Sequence, residues 1–512
     1  MNFHRNHLLC LALTSVVLAS LLSFADPAPA AFGVKVKNGS WDAWNKKMQI
    51  ASKQRPSITW RKFKTVQPGL ELLGRYRTKT TQEIAANGWS IDAAAMDRDY
   101  IDFEQFGPLL PEVGAKHARV TSGWAKTEQK KGVYDFAWID RPIREMAKMG
   151  IRPWVTLCYG NPVYGSEYRL GTVIKPIVDN PEALAAWLKY VETFVARYKD
   201  VVSEYEIWNE AFFQDEDYAK LFYETAKVVK RVQPEAETWC TAVNQEDGYI
   251  AVLELLKKND ALDLADRFIF HSYNPRPEDS IPRRFWPIQA LVKRYSPKYE
   301  VMCGESGCPG QLEYAHAMCQ REWTEYSQAK WVARRLAVNA AYGVKTSLFC
   351  MIDLQYSFML QSFGLIRSNT QLEAIYRRPS FFVAQNMFNF FSPDVRPLGY
   401  AETKSDDGKI VSVARFRTGK GAPALLLWHS EGAMPTDAIA YAREEVTVTC
   451  PEGFKNPVLM DIVTGRVFKL DPQDIVTRGD RTRFLSLPMR DCPVLVTEAA
   501  ELPLGGELFD DF

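Results

Sequence analysis

Hydrophobic and polar positions follow a regular pattern from residue 88 onward. Short apolar runs rich in β-branched and aromatic residues alternate with longer segments in which apolar residues recur at helical spacing. This alternation is typical of repeated βα units that build a parallel sheet. Eight runs have the strand pattern, namely residues 88–96, 115–124, 152–161, 202–210, 237–244, 267–275, 299–306 and 345–353.

The segments between these runs predict helices. Residues 181–198 carry Pro181 in the first turn and apolar residues at helical spacing, and residues 327–343 end on Gly343, a C-cap candidate. A last helix is predicted over 379–391. Eight such units predict an α/β fold of the (β/α)8 TIM-barrel type over residues 88–394. The alternative is a doubly wound open sheet, which normally has fewer strands and a glycine-rich first turn that this sequence lacks.

The pattern changes after about residue 395. Seven short strands separated by turn residues predict an all-β sandwich over 395–512, either a carbohydrate-binding module or a support for the barrel. The seven strands are 409–418, 423–430, 444–450, 457–465, 466–470, 483–488 and 492–498. Residues 31–87 are mixed and polar, and are expected to form an extension that packs on the barrel.

The N-terminus has the pattern of a signal peptide over residues 1–30. Arg5 precedes an apolar run, and Ala28-Pro29-Ala30 offers a small-residue cleavage site before Ala31. We therefore expect a secreted or periplasmic protein; an uncleaved membrane anchor is the alternative. No later stretch approaches the roughly 20 apolar residues of a membrane span, so none is expected after cleavage.

The composition of the chain excludes some classes of partner but does not assign a function. The chain of 512 residues is 46% hydrophobic with a formal net charge of +1, which gives no electrostatic reason to expect nucleic acid as a partner. The oligomeric state stays open. The four histidines after the predicted cleavage site show no HExxH or clustered spacing, so a catalytic zinc site is not expected, and the sequence has no GxGxxG or Walker motif for a nucleotide cofactor. They are His117, His271, His316 and His429.

Cysteine positions leave disulfide bonds open. Four cysteines fall in apolar strand-like runs, where cysteine usually serves as a small hydrophobic residue. These are Cys158, Cys240, Cys303 and Cys350. Bridges among Cys303, Cys308 and Cys319, or between Cys450 and Cys492, are compatible with an oxidising compartment, but the sequence does not define the connectivity.

Two glutamates carry the candidate chemistry. Glu210 ends the fourth predicted strand and Glu305 ends the seventh. Because chemistry in a TIM barrel takes place at the C-terminal ends of the strands, both carboxyls are expected in one mouth. Two facing carboxyls are what glycoside hydrolysis needs: one protonates the leaving oxygen and the other attacks the anomeric carbon. A single glutamate at a strand end is ordinarily a solvated residue, so the hypothesis depends on the pair.

The residues around the pair resemble a known group of enzymes. The "EIWNE" of 206–210 and the "CGES" of 303–306 resemble the motifs of clan A glycoside hydrolases, retaining (β/α)8 enzymes, and the resemblance spans residues 88–390. It implies that Glu210 is the acid/base and Glu305 the nucleophile. It also implies that Asn209 hydrogen-bonds the sugar 2-hydroxyl.

Further positions match the clan less tightly. Arg119 on the second strand stands where the clan places an arginine that orients the nucleophile; a salt bridge under the barrel mouth is the alternative. Tyr273 after the sixth strand stands where clan members hold a Tyr or His against the nucleophile. His271 on the same segment is a further candidate, although it could equally be a hydrogen-bonded core histidine. The rim residues Trp124, Tyr159 and Asn161 are further substrate-binding candidates, with simple packing expected for Trp124 or Tyr159.

Residues 123–140 and 150–165 are most similar to glycoside hydrolase family 39, which holds β-xylosidases and α-L-iduronidases. Ala211 departs from this pattern, because a proline usually follows Asn-Glu, and strand eight lacks the tryptophan platform of many members. The resemblance implies a retaining β-glycosidase that acts on an oligo- or polysaccharide and needs no metal or organic cofactor, and the signal-peptide pattern adds export. An endo-β-glucanase of the same clan and a non-catalytic glycan-binding protein on the same fold are the alternatives.

Overall fold

Eight parallel strands close into a barrel in the computed structural model. We label them β1 to β8: Trp89–Asp92, His117–Thr121, Arg152–Leu157, Glu204–Ile207, Glu237–Cys240, Arg267–His271, Glu300–Glu305 and Thr346–Leu348. Each strand pairs in parallel with its neighbours, and β8 returns to β1 with Thr346 beside Trp89. All eight predicted strands and the (β/α)8 barrel are confirmed.

The structure describes residues 67–168, 173–241, 246–391, 394–404, 408–432, 434–436, 440–450 and 453–508. The predicted signal peptide, 1–30, and residues 31–66 of the predicted extension lie outside this part of the chain. Within it, none of the helices combines the length and apolarity needed to cross a bilayer.

Helices connect the strands. The α-helices are Phe103–Phe106, Leu110–Val113, Trp124–Thr127, Ala137–Lys148, Lys175–Val178, Pro181–Tyr198, Asp215–Val232, Glu246–Lys258, Trp286–Lys293, Glu325–Ala341 and Pro379–Phe390. Short 3-10 turns occupy Thr81–Glu83, Ala94–Arg98, Gly107–Leu109, Pro162–Tyr164, Leu262–Leu264, Pro277–Asp279, Pro472–Asp474 and Ala499–Glu501, and Ile281–Phe285 is a π-helical turn. After β8, two small hairpins pair Leu354–Gln355 with Leu360–Gln361 and Ile366–Ser368 with Ala374–Arg377.

Local sequence explains where the predicted helices begin and end. Helix Pro181–Tyr198 starts after Asn180, whose side chain accepts hydrogen bonds from two free backbone N–H groups of the first turn. Helix Glu325–Ala341 starts with a capping box at Thr324 and is followed by Gly343, whose φ of +66° is the left-handed conformation that favours glycine.

Two antiparallel sheets form the C-terminal region. The larger has the order Leu72–Arg75, Arg466–Lys469, Pro457–Asp461, Val494–Glu498, Pro423–His429, Ile410–Arg417 and Arg396–Lys404, and the smaller has the order Ala442–Thr449, Arg481–Met489 and Ile475–Arg478. Apolar side chains of both sheets, such as Leu425 and Phe484, share one buried core. The predicted β-sandwich is therefore confirmed.

The segment before the barrel contributes to both parts of the fold. Strand Leu72–Arg75 extends the larger sheet by pairing with Arg466–Lys469. The hydroxyl of Thr81, a few residues later, donates to the backbone carbonyl of Ala115 at the start of the second barrel unit. The sequence predicts packing of this segment on the barrel but not the strand, which is too short and too exposed to show an alternating pattern.

Barrel and sandwich meet along helix Glu325–Ala341, which is buried almost all round. Glu278, in the loop after β6, receives 2.8 Å hydrogen bonds from Arg334 of this helix and from the indole of Trp428 in the sandwich. Arg490 of the sandwich donates to the hydroxyl of Tyr326 at 2.6 Å. The carboxylate of Glu278 and the guanidinium of Arg490 thus find partners across the boundary.

The cysteines of the described residues are free thiols rather than disulfide pairs. They are Cys158, Cys240, Cys303, Cys308, Cys319, Cys350, Cys450 and Cys492.

Candidate active site

Glu210 and Glu305 line one cavity at the C-terminal end of the barrel. Glu305 is the last residue of β7 and Glu210 follows β4, so the predicted register brings the two side chains together. A carboxylate oxygen of each lies within 4.8 Å of the other and of a ring nitrogen of His271. The side chain of Glu305 is 11% exposed and that of Glu210 is 15% exposed.

Backbone geometry aims both glutamates into the cavity. A register shift in the pairing of β6 with β7 sets Phe270 beside Cys303 but His271 beside Glu305, which turns the last residues of β7. A Cβ on Gly304 would lie 2.1 Å from Cγ2 of Ile269, so only glycine fits directly before Glu305. At the other strand end, Glu210 has a left-handed φ of 49°, a costly conformation for a non-glycine residue that is often found at functional sites.

Arg119 connects the acidic groups of the barrel interior. Its Nη1 donates to Glu305 Oε2 at 2.7 Å and to Asp92 Oδ2 at 3.1 Å. Its Nε donates to Glu206 Oε2 at 2.9 Å, and its Nη2 donates to Asn209 Oδ1 at 2.6 Å. Because every nitrogen of the guanidinium is engaged, Arg119 fixes Glu305 and Asn209 relative to one another.

Asn209 is held from both ends of its amide. While Oδ1 accepts from Arg119, Nδ2 donates to the hydroxyl of Tyr159 at 2.9 Å. Both Asn209 and Tyr159 line the cavity. The amide therefore presents a fixed edge beside the two glutamates, with one N–H of Nδ2 left for a ligand.

His271 and Tyr273 on and after β6 contact the carboxyls directly. Nδ1 of His271 lies 2.8 Å from Glu210 Oε1 and 3.6 Å from Glu305 Oε2. The hydroxyl of Tyr273 donates to Glu305 Oε1. Glu305 thus receives Tyr273 on one oxygen and Arg119 on the other, which leaves little freedom for its carboxyl to rotate.

The charges of the site shift several pKa values. Burial works against the proton on His271, but the carboxylates of Glu305 and Glu210 outweigh it and raise the pKa of His271. Burial, followed by the charge of Glu305, raises the pKa of Tyr273 well above its ordinary value, so its hydroxyl stays a donor. Burial also raises the pKa of Asp92 despite the facing Arg119.

Two of the predicted substrate-binding residues lie away from this cavity. Trp124 is fully buried, and its indole donates to Glu128 Oε2 at 2.6 Å while stacking on Tyr164. Asn161 is also buried, donating to the backbone carbonyl of Glu128 at 2.8 Å and accepting from the backbone N–H of Val163. Both side chains hold the loops after β2 and β3 in place and are not among the residues that line the cavity, which for Trp124 agrees with the packing alternative.

The cavity and its surroundings include residues that the sequence did not single out. Two buried acids, Glu206 and Asp92, accept hydrogen bonds from Arg119, and Glu206 is recognisable as an acid in the middle of an apolar run. Arg98, Phe349 and Tyr356 line the wall. Phe349 directly follows β8, the strand on which the tryptophan platform is absent, and supplies an aromatic ring there.

The side chains of Glu210, His271 and Glu305 are of the types that bind metal ions and lie close enough to share one. The guanidinium of Arg119, 2.7 Å from Glu305, already supplies a positive charge on that side of the group. Electrostatic repulsion by Arg119 disfavours a divalent ion at the same carboxylate. The arrangement instead provides two carboxyls that can exchange protons and make a bond to a ligand.

Known proteins were compared with this chain at the level of families and of solved structures. No protein-family model matches it. A family 39 glycoside hydrolase from Bacteroides cellulosilyticus matches with a TM-score of 0.58 and 16% identity, over 80% of each chain. A family 39 β-xylosidase from Caulobacter crescentus matches with a TM-score of 0.50 and 16% identity, over 84% of this chain and 98% of that one.

The chain has the fold of family 39 glycoside hydrolases. A glucosidase from Croceicoccus marinus also shares it, with a TM-score of 0.52 and 14% identity over 85% of this chain and 97% of that one. The resemblance drawn from the sequence is thereby confirmed at the level of the fold.

Proposed function

We propose that this protein is a retaining β-glycoside hydrolase that cleaves an oligo- or polysaccharide. The observation that carries the proposal is the approach of Glu210 and Glu305 to within 4.8 Å of one another. Retaining glycosidases hold their two carboxyls about 5–5.5 Å apart, whereas inverting enzymes need about 6.5–9.5 Å to admit a water. The short approach fits the retaining mechanism.

The contacts of each glutamate suggest its role. Glu305 accepts from Arg119 and Tyr273, and donors on both oxygens hold its carboxyl in a fixed orientation, as a nucleophile requires. The side chain of Glu210 is 15% exposed, and among the described residues its hydrogen-bond partner is the ring of His271, which can exchange a proton with it. It is therefore suited to give a proton to the leaving oxygen and to take one back later.

The reaction then proceeds in two displacements. Glu305 forms a bond to the anomeric carbon while the bond to the leaving oxygen breaks, and that oxygen takes the proton of Glu210. Water next attacks the glycosyl-enzyme, Glu210 accepts its proton, and the bond to Glu305 breaks. The free N–H of Asn209 is placed to bind the sugar 2-hydroxyl. This sequence needs no cofactor.

We propose action on a single terminal sugar, over the endo-β-glucanase alternative. The described residues enclose a cavity of about 50 Å³ beside the two glutamates, and this confined space supports the proposal. Export of the protein is also proposed, on the apolar run and small-residue site before Ala31; mass spectrometry of the protein recovered from its producing cells tests it.

A panel of aryl β-glycosides and polysaccharides tests the function. We expect wild type to release the aryl group from at least one glycoside, with retention of anomeric configuration by NMR, and to release monosaccharide from oligomers. Glu305→Gln should be inactive, while Glu300→Gln, at the opposite end of β7 and paired with Lys345, should act like wild type. Glycan binding without any hydrolysis would support the non-catalytic alternative and contradict the proposal.

A further inference from the structure

Arg98 places a second guanidinium in the wall of the candidate active site. It ends the 3-10 turn Ala94–Arg98 that follows β1, and it lines the same cavity as Glu210 and Glu305. Its side chain is only 10% exposed. A positive charge is therefore held where water has little access, next to the place of the proposed chemistry.

The surroundings of Arg98 fix its orientation. Nε donates to Asp97 Oδ1 at 3.1 Å. The guanidinium carbon lies 5.0 Å from the ring centre of Tyr159 and 5.4 Å from that of Tyr100, so the group packs against two aromatic rings. Tyr159 is also the partner of Asn209, which connects Arg98 to the sugar-binding side of the site.

The end of the Arg98 side chain stays unused by the protein. Among the described residues, neither Nη1 nor Nη2 of Arg98 has a hydrogen-bond acceptor, whereas the corresponding nitrogens of Arg119 are both engaged. Two parallel N–H donors on a planar fork match the two oxygens of a carboxylate or a sulfate. Arg98 thus offers a preformed bidentate site that opens into the cavity.

Energetics favour a charged acceptor over a sugar hydroxyl. A bound sugar would remove the remaining water from Arg98, and desolvating a guanidinium is costly unless its donors are met by strong acceptors. Charge-assisted hydrogen bonds are roughly twice as strong as neutral ones. Arg119 and His271 meanwhile face Glu305 and Glu210, which reduces the repulsion that an anion on the Arg98 side would experience.

We propose that Arg98 selects a sugar unit that carries an anionic substituent, either a carboxylate or a sulfate ester, in the cavity of Glu210 and Glu305. This inference names the substrate class of the proposed glycosidase and rests on that function. Arg98 is a specificity residue in this account and takes no part in bond breaking.

Matched substrates test the proposal on the full chain. The 4-nitrophenyl β-glycosides of glucuronic acid, glucose 6-sulfate, glucose and xylose are compared for wild type, Arg98→Gln and Arg98→Lys. Wild type should have a higher kcat/KM on one anionic glycoside than on the neutral ones. In Arg98→Gln the ratio of anionic to neutral kcat/KM should fall about 30-fold, with Arg98→Lys intermediate.

Arg144→Gln is the matched control, because Arg144 also pairs with a carboxylate, Asp200, and lies over a ring, Tyr198, but on an exposed helix away from the cavity. Its ratio should equal that of wild type. The preferred glycoside distinguishes carboxylate from sulfate. Preference for neutral glycosides in wild type, or an unchanged ratio in Arg98→Gln, would overturn the proposal while leaving the glycosidase function intact.

A binding measurement covers the case in which wild type hydrolyses nothing, an outcome that contradicts the glycosidase function itself. Glucuronate, glucose 6-sulfate and glucose are titrated into wild type and Arg98→Gln by calorimetry. Binding of one anionic sugar that is tighter than that of glucose and weakened in Arg98→Gln supports the anion site. Equal binding of all three, or none, overturns it.

Discussion

Arg119 donates a 2.7 Å hydrogen bond to Glu305 while the same guanidinium binds Asn209 at 2.6 Å. One side chain on β2 therefore sets the distance between the proposed nucleophile and the amide proposed to hold the sugar. The cation is also the main counter-charge of the barrel interior, because Glu206 and Asp92 contact it as well. The stability of the barrel interior and the proposed chemistry therefore both depend on the guanidinium of Arg119.

Replacing Arg119 should therefore damage stability and activity together. Arg119→Met leaves buried carboxylates without their partner, which is expected to lower the free energy of unfolding by about 3–5 kcal/mol. Chemical denaturation measures the loss. Arg283→Met, at an exposed arginine paired with Asp279, should change stability by no more than about 0.5 kcal/mol. An Arg119→Met protein as stable as wild type would show that the acidic cluster does not need its cation.

Tyr273→Phe isolates one contact of the proposed nucleophile. The substitution removes the hydroxyl that donates to Glu305 and keeps the ring. A lost hydrogen bond to a charged group corresponds to about a 10- to 100-fold fall in kcat. Tyr295→Phe is the control, since that hydroxyl donates to Glu254 at 2.5 Å on the surface. Equal kcat for Tyr273→Phe and wild type would rule out a positioning role.

The raised pKa of His271 predicts a pH-dependent contribution to stability. A group whose pKa is higher in the folded protein stabilises it fully below its unfolded pKa of about 6.5, and loses this contribution as pH rises through the folded value. The difference in unfolding free energy between wild type and His271→Asn should thus be largest near pH 6 and shrink toward alkaline pH. Denaturation curves over this range measure it; a difference that grows with pH would contradict the assignment.

Glu210→Gln should affect substrates according to their leaving group. Without a general acid, glycosides of weakly acidic alcohols should be cleaved about 10²- to 10⁴-fold more slowly. Glycosides of strongly acidic phenols need little protonation, and their first step should change far less. Pre-steady-state release of the phenol from a series of aryl glycosides measures this. A uniform loss across the series would assign Glu210 a role other than proton donor.

The barrel was predictable because its strands are buried on both faces and read as apolar runs between helical segments. The two glutamates were predictable for a related reason, since strand ends in this fold converge on one mouth. The sandwich strand Leu72–Arg75 was not predicted, because it is short, half-exposed and far in sequence from its partner, Arg466–Lys469.

Side-chain roles were harder to predict than positions. Trp124 and Asn161 follow strand ends as Tyr159 does, but both bind the buried Glu128 instead of lining the cavity. Trp124 donates to the side chain of Glu128, and Asn161 donates to its backbone carbonyl. Arg98 gave no signal, because its place in the cavity depends on how a single 3-10 turn packs after β1. Such contacts between loops leave no periodic pattern in the sequence.

The central claim is that Glu305 becomes covalently attached to the sugar. A 2-deoxy-2-fluoro glycosyl fluoride of the preferred sugar slows the second displacement and allows the intermediate to accumulate. Mass spectrometry of the intact protein, and then of its peptides, locates the adduct. We expect one glycosyl group per chain, on the peptide that contains Glu305 and absent from Glu305→Gln. Rapid turnover of an authentic substrate with no adduct, or with an adduct on another residue, would contradict it.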